Sequence, residues 1–298
     1  MSFVRLFLLL LVVLVAFAAN SVIGRIALED GLIDAASYTA IRLLSGAAML
    51  MVLVALRGGE DVAFERSLLI SAKTLGMAVA LFAYAALFSF AYLELGAALG
   101  ALVLFGAVQI TMIGWNVMTG SRLTFVEWLG VAVAVAGFVY LVAPTAPGTP
   151  EPVETSGFGS MIMMTLSGVA WGAYSLAGRG ISDPLGATAR NFVVATPLGV
   201  LTVVVFFSTL QISPTGLALA ILSGAITSGL GYALWYRALP FITPTVAAVL
   251  QLTVPLIAAA GGVLFLSEAL DWRFAIATVA ILGGVGATVL GGARSPTR

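Results

Sequence analysis

Tyr84, Phe88 and Tyr92 recur every four residues in an otherwise apolar stretch, so a helix would carry all three rings on one face. A packing or lipid-facing stripe accounts for the spacing. The two hydroxyls favour a cavity wall, because a hydroxyl turned toward lipid tails has no partner. Trp171 and Tyr174 occupy adjoining faces of another apolar stretch, beside Gly172. Trp171 lies too far from the ends of its stretch for the interfacial belt that Trp and Tyr usually form. Tyr232, Trp235 and Tyr236 come near the end of theirs and read as such a belt. Rings arranged in this way stack on flat or apolar solutes; they bind and do not react.

Three amides, Asn20, Gln109 and Gln251, supply the polar contacts. Each either bonds a neighbouring helix, worth about 0.6–2 kcal/mol, or orients a solute. Gln251 precedes Pro255 by one helical turn, so the proline leaves the Gln251 carbonyl without its N–H donor. That carbonyl and the amide together suit an ammonium or hydroxyl group. Pro255 and Gly229 are candidate bending points. Arg42 reads as a snorkelling arginine at the membrane interface, paired with Asp34 or Glu94.

The chain has no His and no Cys. This removes Cys/His metal sites, thiol or imidazole catalysis and a histidine pH switch. No Gly-x-x-x-x-Gly-Lys-Ser/Thr stretch offers a nucleotide. No acid or amine falls in the middle third of any apolar stretch. Moving a charge across the bilayer is worth about 2.3 kcal/mol per 100 mV, and a titrating group there would couple that energy to transport. The expectation is therefore a facilitator or exchanger, with no catalytic residue, no metal, no cofactor and no nucleic-acid partner.

These residues need membrane helices to hold them. Of 298 residues, 61% are hydrophobic and 9% charged, against about a quarter charged in soluble domains. The fold class is all-α, a polytopic membrane protein. Ten spans are expected, at 6–27, 35–56, 74–93, 96–118, 124–143, 157–178, 186–208, 215–236, 242–265 and 271–291, each near the roughly 20 residues that cross a bilayer. The Pro/Thr/Glu-rich linker 144–156 separates two sets of five, with domains at 1–145 and 156–293. If the N-terminus is cytoplasmic, Arg25, Arg42 and Arg273 are the outer cations and the remaining Lys and Arg lie inside. Both termini are expected in the cytoplasm.

The halves resemble each other. Ala19, Ser21, Gly24 and Arg25 match Ala173, Ser175, Gly178 and Arg179 without a gap, and Tyr38-Thr-Ala-Ile-Arg42 resembles Ala187-Thr-Ala-Arg190. Tyr92 matches Tyr236. Five spans is an odd number, so the second copy lies inverted, as in secondary transporters with a midplane site. Arg5 and the apolar run behind it could be read as a cleavable signal; membership of residues 17–25 in the repeat assigns them to span one.

The stretch AWGAYSLAGR (170–179), followed by Tyr236, Ala238, Pro255, Ser267-Glu268 and Gly283-Gly284, resembles the drug/metabolite transporter superfamily in its ten-helix form of two EamA-type repeats. The first half departs from the pattern at Phe17, Gln109 and Arg122, which argues against a symmetric binding site. The chain is similar to amino-acid and metabolite exporters, including aromatic amino acid exporters of the YddG type. The resemblance implies that spans one, three, four, six, eight and nine surround a central cavity. It implies an inner-membrane exporter of small amphipathic metabolites, amino acids included, working by alternating access as a monomer or weak homodimer in the lipid bilayer. A multidrug or other metabolite facilitator of the same superfamily is the alternative. Asn20, Tyr84, Phe88, Gln109, Trp171, Tyr174 and Gln251 are the candidate substrate contacts.

Overall fold

The computed structural model describes residues 2–58, 71–120, 123–142, 157–242 and 250–293. Its helices are α1 (Phe3–Glu29), α2 (Ala35–Arg57), α3 (Ala72–Ala91), α4 (Ala97–Met118) and α5 (Phe125–Val142). They continue with α6 (Gly157–Ala177), α7 (Pro184–Val205), α8 (Pro214–Ala238), α9 (Val254–Leu266) and α10 (Trp272–Ala293). No strand occurs among the described residues; a lone bridge joins Ile33 to Ile212. Six helices, α1 to α4, α7 and α8, are long and apolar enough to cross a membrane, and α5, α9 and α10 contain shorter apolar segments. The linker 144–156, residues 243–249 of the expected ninth span, and Arg66, Arg122, Arg294 and Arg298 fall outside the described residues.

Local chemistry starts the helices where the sequence places them. Asp34 accepts from Ser37 N (2.9 Å) at the start of α2, and Asp183 accepts from Gly186 N (3.2 Å) at the start of α7. Ser213 does the same for Gly216 N (3.0 Å), with Pro214 in the first turn of α8. Each side-chain oxygen satisfies one of the amides that a helix N-terminus leaves unpaired. Pro255 falls in the first turn of α9, directly after a turn at Leu252–Thr253. It marks the restart of a helix and not a kink within one, because its missing N–H costs nothing there.

The expected continuous span 215–236 is interrupted. Leu222–Leu230 forms π-helix, and Gly229 lies inside it. A π turn closes on the fifth residue instead of the fourth. Ser228 therefore comes beneath Ser223, on the face that Thr227 already shares with it, where an α-helix would turn Ser228 away. Gly224 permits the close approach that seats this segment: a Cβ there would collide with Ser45 Oγ and the Arg42 backbone of α2.

The main helix contacts follow a rule. α1 packs on α8 as α6 packs on α3; α1 meets α9 as α6 meets α4; and α2 touches α8 as α7 touches α3. The pairs α2–α7, α4–α9 and α5–α10 cross between the halves. Replacing every helix by the one five places along leaves this set unchanged. Tyr38, Tyr84, Phe88, Tyr92, Tyr174, Phe192 and Tyr232 belong to the central core.

Crossing contacts concentrate at one end. The Glu268 carboxylate, after α9, accepts from Ala97 N and Ala98 N at the start of α4, where the helix dipole favours a negative charge. Within the first half at this end, Arg25 donates to the Tyr92 and Leu93 carbonyls (3.0 and 3.1 Å) and pairs with Glu29. Asp34 N donates to Gln211 O (2.9 Å), and Gln211 N to Asp34 Oδ2 (3.0 Å). At the opposite end, Arg57 pairs with Asp183 (2.7 Å) and Arg179 donates to Asn116 (3.3 Å). The Arg57 hydrogen bond is the main reason that the Asp183 carboxyl lies below its usual range.

Candidate functional site

Helices α1, α3, α4, α6 and α8 surround a central cavity lined by Phe17, Asn20, Tyr84, Phe88, Trp171 and Tyr232, with Ser21, Leu104, Phe105, Thr227 and Ser228 between them. Among the described residues none of α9 is on this wall; residues 243–249 of the expected ninth span lie outside them. The cavity measures about 20 Å³, room for roughly one water molecule. An amino acid does not fit until helices separate.

Its apolar surface is a chain of rings. Tyr84 meets Phe88 at 5.8 Å and Trp171 at 4.9 Å, and Trp171 meets Tyr232 at 5.0 Å. Tyr232 contacts Phe17 at 5.8 Å, and Trp171 stacks on Tyr174 at 5.4 Å. The backbone of Tyr84 is held from α6, where Ser167 Oγ donates to its carbonyl (2.9 Å).

Its polar surface centres on Asn20 and Tyr84. Asn20 Oδ1 accepts from Ser223 Oγ (2.7 Å) and Thr227 Oγ1 (3.0 Å), while Asn20 Nδ2 reaches the Tyr84 hydroxyl at 3.4 Å. Four residues apart on one helix, both hydroxyls share the face that meets this amide oxygen. Arg42 completes the group: Nη2 donates to the Tyr84 hydroxyl (2.7 Å) and Nε to Ser228 Oγ (3.3 Å). Its guanidinium carbon lies 4.9 Å from the Tyr84 ring centroid and 4.7 Å from that of Phe88.

Two readings of the sequence are corrected here. Arg42 is not a snorkelling interfacial side chain paired with Asp34 or Glu94; it is 2% exposed and turned inward. Asp34 instead caps α2, and Glu94 accepts from Ser160 Oγ (2.7 Å). Tyr232 is not part of an interfacial belt but lines the cavity. Trp235, expected in the same belt, packs in a separate buried cluster with Leu10 and Val13.

Of the sequence-derived contacts, the structure brings Asn20, Tyr84, Phe88 and Trp171 together at the cavity. Tyr174 stands behind Trp171, its hydroxyl accepting from Asn191 Nδ2 (3.2 Å). Gln109 is buried on α4 and Gln251 is half-buried ahead of α9, both away from the wall. Sequence reasoning missed Arg42, Phe17, Ser223, Thr227, Ser228 and Tyr232. A signal existed for the hydroxyls: Ser223, Thr227 and Ser228 cluster within one apolar span, where buried polar groups need partners.

The EamA-like transporter family matches residues 159–290, covering α6 to α10 apart from their extreme ends. Uncharacterized protein PA1977 of Pseudomonas aeruginosa is 45% identical over 281 residues, covering 94% of this chain and 93% of its own. A solved chain described as "Crystal structure of protein" aligns with a TM-score of 0.66 at 17% identity. It covers 99% of this chain and is itself covered completely. That likeness concerns the fold alone.

Proposed function

Because the chain belongs to the EamA-like transporter family, and is thus a multi-pass membrane transporter of the drug/metabolite superfamily, we propose that it exports small amphipathic metabolites, with amino acids, aromatic ones included, as the leading class. The observation that carries this reading is the central cavity: a wall of Tyr84, Phe88, Trp171 and Tyr232 around the Asn20 amide. Rings of this kind stack on a flat or apolar side chain, and the amide and hydroxyls orient its polar end.

The two halves act as inverted repeats that rock about the site. The exchange rule among helix contacts supports this, as do matching N-caps at Asp34 and Asp183. All ten helices belong to the membrane domain. Both termini lie in the cytoplasm of a bacterial cell, an orientation that rests on the distribution of Lys and Arg. The end carrying the Glu268 and Gln211 contacts is then the outer gate, and the end carrying Arg57–Asp183 and Arg179–Asn116 faces the cytoplasm. Opening at the second end has fewer crossing contacts to break. The π segment around Gly229 and the break before Pro255 supply the bending points. The protein works as a monomer or weak homodimer.

Counterflow tests the reading. Proteoliposomes loaded with unlabelled amino acids should take up labelled Phe, with Thr, Ala and a cationic dye as comparisons. Absence of uptake for every amino acid sinks the substrate class. Trp171→Ala should lower Phe uptake about two- to tenfold, following the roughly 0.5–1.5 kcal/mol of an aromatic contact, while the protein remains monodisperse. Unchanged uptake would make Trp171 a packing residue.

A further inference from the structure

We infer that Arg42 is the anchor for a carboxylate on the transported solute. The inference rests on the central cavity being the substrate site and specifies the chemistry that site accepts.

A guanidinium stays protonated at any physiological pH and offers five N–H donors. In Arg42 two of its nitrogens are committed, Nη2 to Tyr84 and Nε to Ser228. Nη1 is buried and has no hydrogen-bond partner among the described residues. No carboxylate there pairs with it either. Glu29 is held by Arg25, Asp183 by Arg57, and Glu268 by the α4 N-terminus. Asp34 and Glu94 have the partners already described. A buried cation without an anion is costly, and inside a membrane such groups mark substrate pathways.

Its location says which substrate. The three residues that the guanidinium touches, Tyr84, Phe88 and Ser228, all line the cavity. The rings beneath the charge offset part of its desolvation, and the hydroxyls fix its plane. Nη1 is the donor left over, buried just behind the wall that those three residues form, so a carboxylate reaches it when that wall parts. A carboxylate fits that donor, because guanidinium and carboxylate match in shape and charge. A solute with an apolar or aromatic body and a carboxylate fits the whole site. The same charge opposes amines and cationic dyes that lack an acid group.

Equilibrium binding to full-length protein in nanodiscs distinguishes the outcomes. The labelled probes are L-phenylalanine, 3-phenylpropionate and phenethylamine, with hexanoate and hexylamine as an aliphatic pair. Wild-type protein should bind each acid at least roughly tenfold more tightly than its matched amine. Arg42→Gln should weaken the acids by roughly ten- to a hundredfold, the range of a charged hydrogen bond, and leave the amines unchanged or improved. Arg42→Lys keeps the charge and should keep the order of preference with smaller ratios. An arginine that only ties α2 to α3 and α8 would lower all five probes together in Arg42→Gln.

Equal binding of acids and amines by wild-type protein, a uniform loss in Arg42→Gln, or no binding of any acid overturns the assignment. Binding of hexanoate and 3-phenylpropionate without phenylalanine upholds Arg42 as the anchor and rejects amino acids as the class.

Discussion

α2 and α7 begin alike and end up doing different work. Each opens with a capping aspartate, Asp34 or Asp183, and each carries a threonine five residues later. Thr39 Oγ1 donates to Ala35 O (2.8 Å) and Thr188 Oγ1 to Pro184 O (2.7 Å), so the two helices share a register from their caps. In that register Arg42 corresponds to Asn191, and not to Arg190 as the sequence match implied. The single-residue offset turns Arg190 by about 100° around the helix, to a half-buried position near Asp183. Asn191, like Arg42, is 2% exposed and holds a tyrosine hydroxyl: Asn191 bonds Tyr174, and Arg42 bonds Tyr84. Equivalent places thus hold a neutral amide in one half and a cation in the other. Shared architecture fixes where a side chain points, and one substitution at that point makes the centre electrically asymmetric.

The sharpest way to break the comparison is to make α7 like α2. Asn191→Arg adds a second buried cation, and at about 2.5–3.5 kcal/mol for a charge at membrane depth it should sharply lower the yield of monodisperse protein and its Tm. Normal yield and Tm would mean that the second half tolerates charge as the first does.

A milder change probes the amide on the other side of the centre. Thr227→Val removes one of two donors to Asn20 Oδ1 while keeping the side-chain shape. It should cost about 0.6 kcal/mol, the mean for such bonds between membrane helices, read as a small Tm decrease. A large decrease would show that the π segment itself depends on this hydroxyl.

The smallest effect concerns the caps. Asp183 is lowered from its ordinary 3.8 chiefly by the hydrogen bond from Arg57. A depressed carboxyl contributes stability above its unfolded pKa and loses it as pH falls through the lower folded value. Arg57→Gln should therefore cost about 0–1 kcal/mol at pH 7, as is typical of exposed pairs, read as a slight Tm decrease. The wild-type and variant curves should converge below about pH 4. Curves that stay parallel to acid pH would deny the pair any part in stability.

Helix positions and much of the aromatic wall were legible from the sequence because they depend on local periodicity and on apolar length. Tyr84 and Phe88 needed only their spacing, and Trp171 only its depth within a span. Arg42 was not legible: a cation a few residues into an apolar helix looks interfacial, and only the inward turn of α2 reveals otherwise. The π segment was hidden as well, since Ser223, Thr227 and Ser228 suit an α-helix equally in composition. It also packs closely against α2 at Gly224, a long-range contact that composition does not reveal. Tyr232 was misplaced by the same route, because its depth along the span suggested the membrane surface while its direction led to the centre.

The small central cavity has one more consequence. A hydrated sodium ion does not fit a space of about 20 Å³, and a bare one would lose its water beside the fixed positive charge of Arg42. A hydronium ion meets the same repulsion, the device by which a pore-side arginine excludes protons elsewhere. In this conformation the narrow cavity and the buried guanidinium together disfavour a cation at the centre.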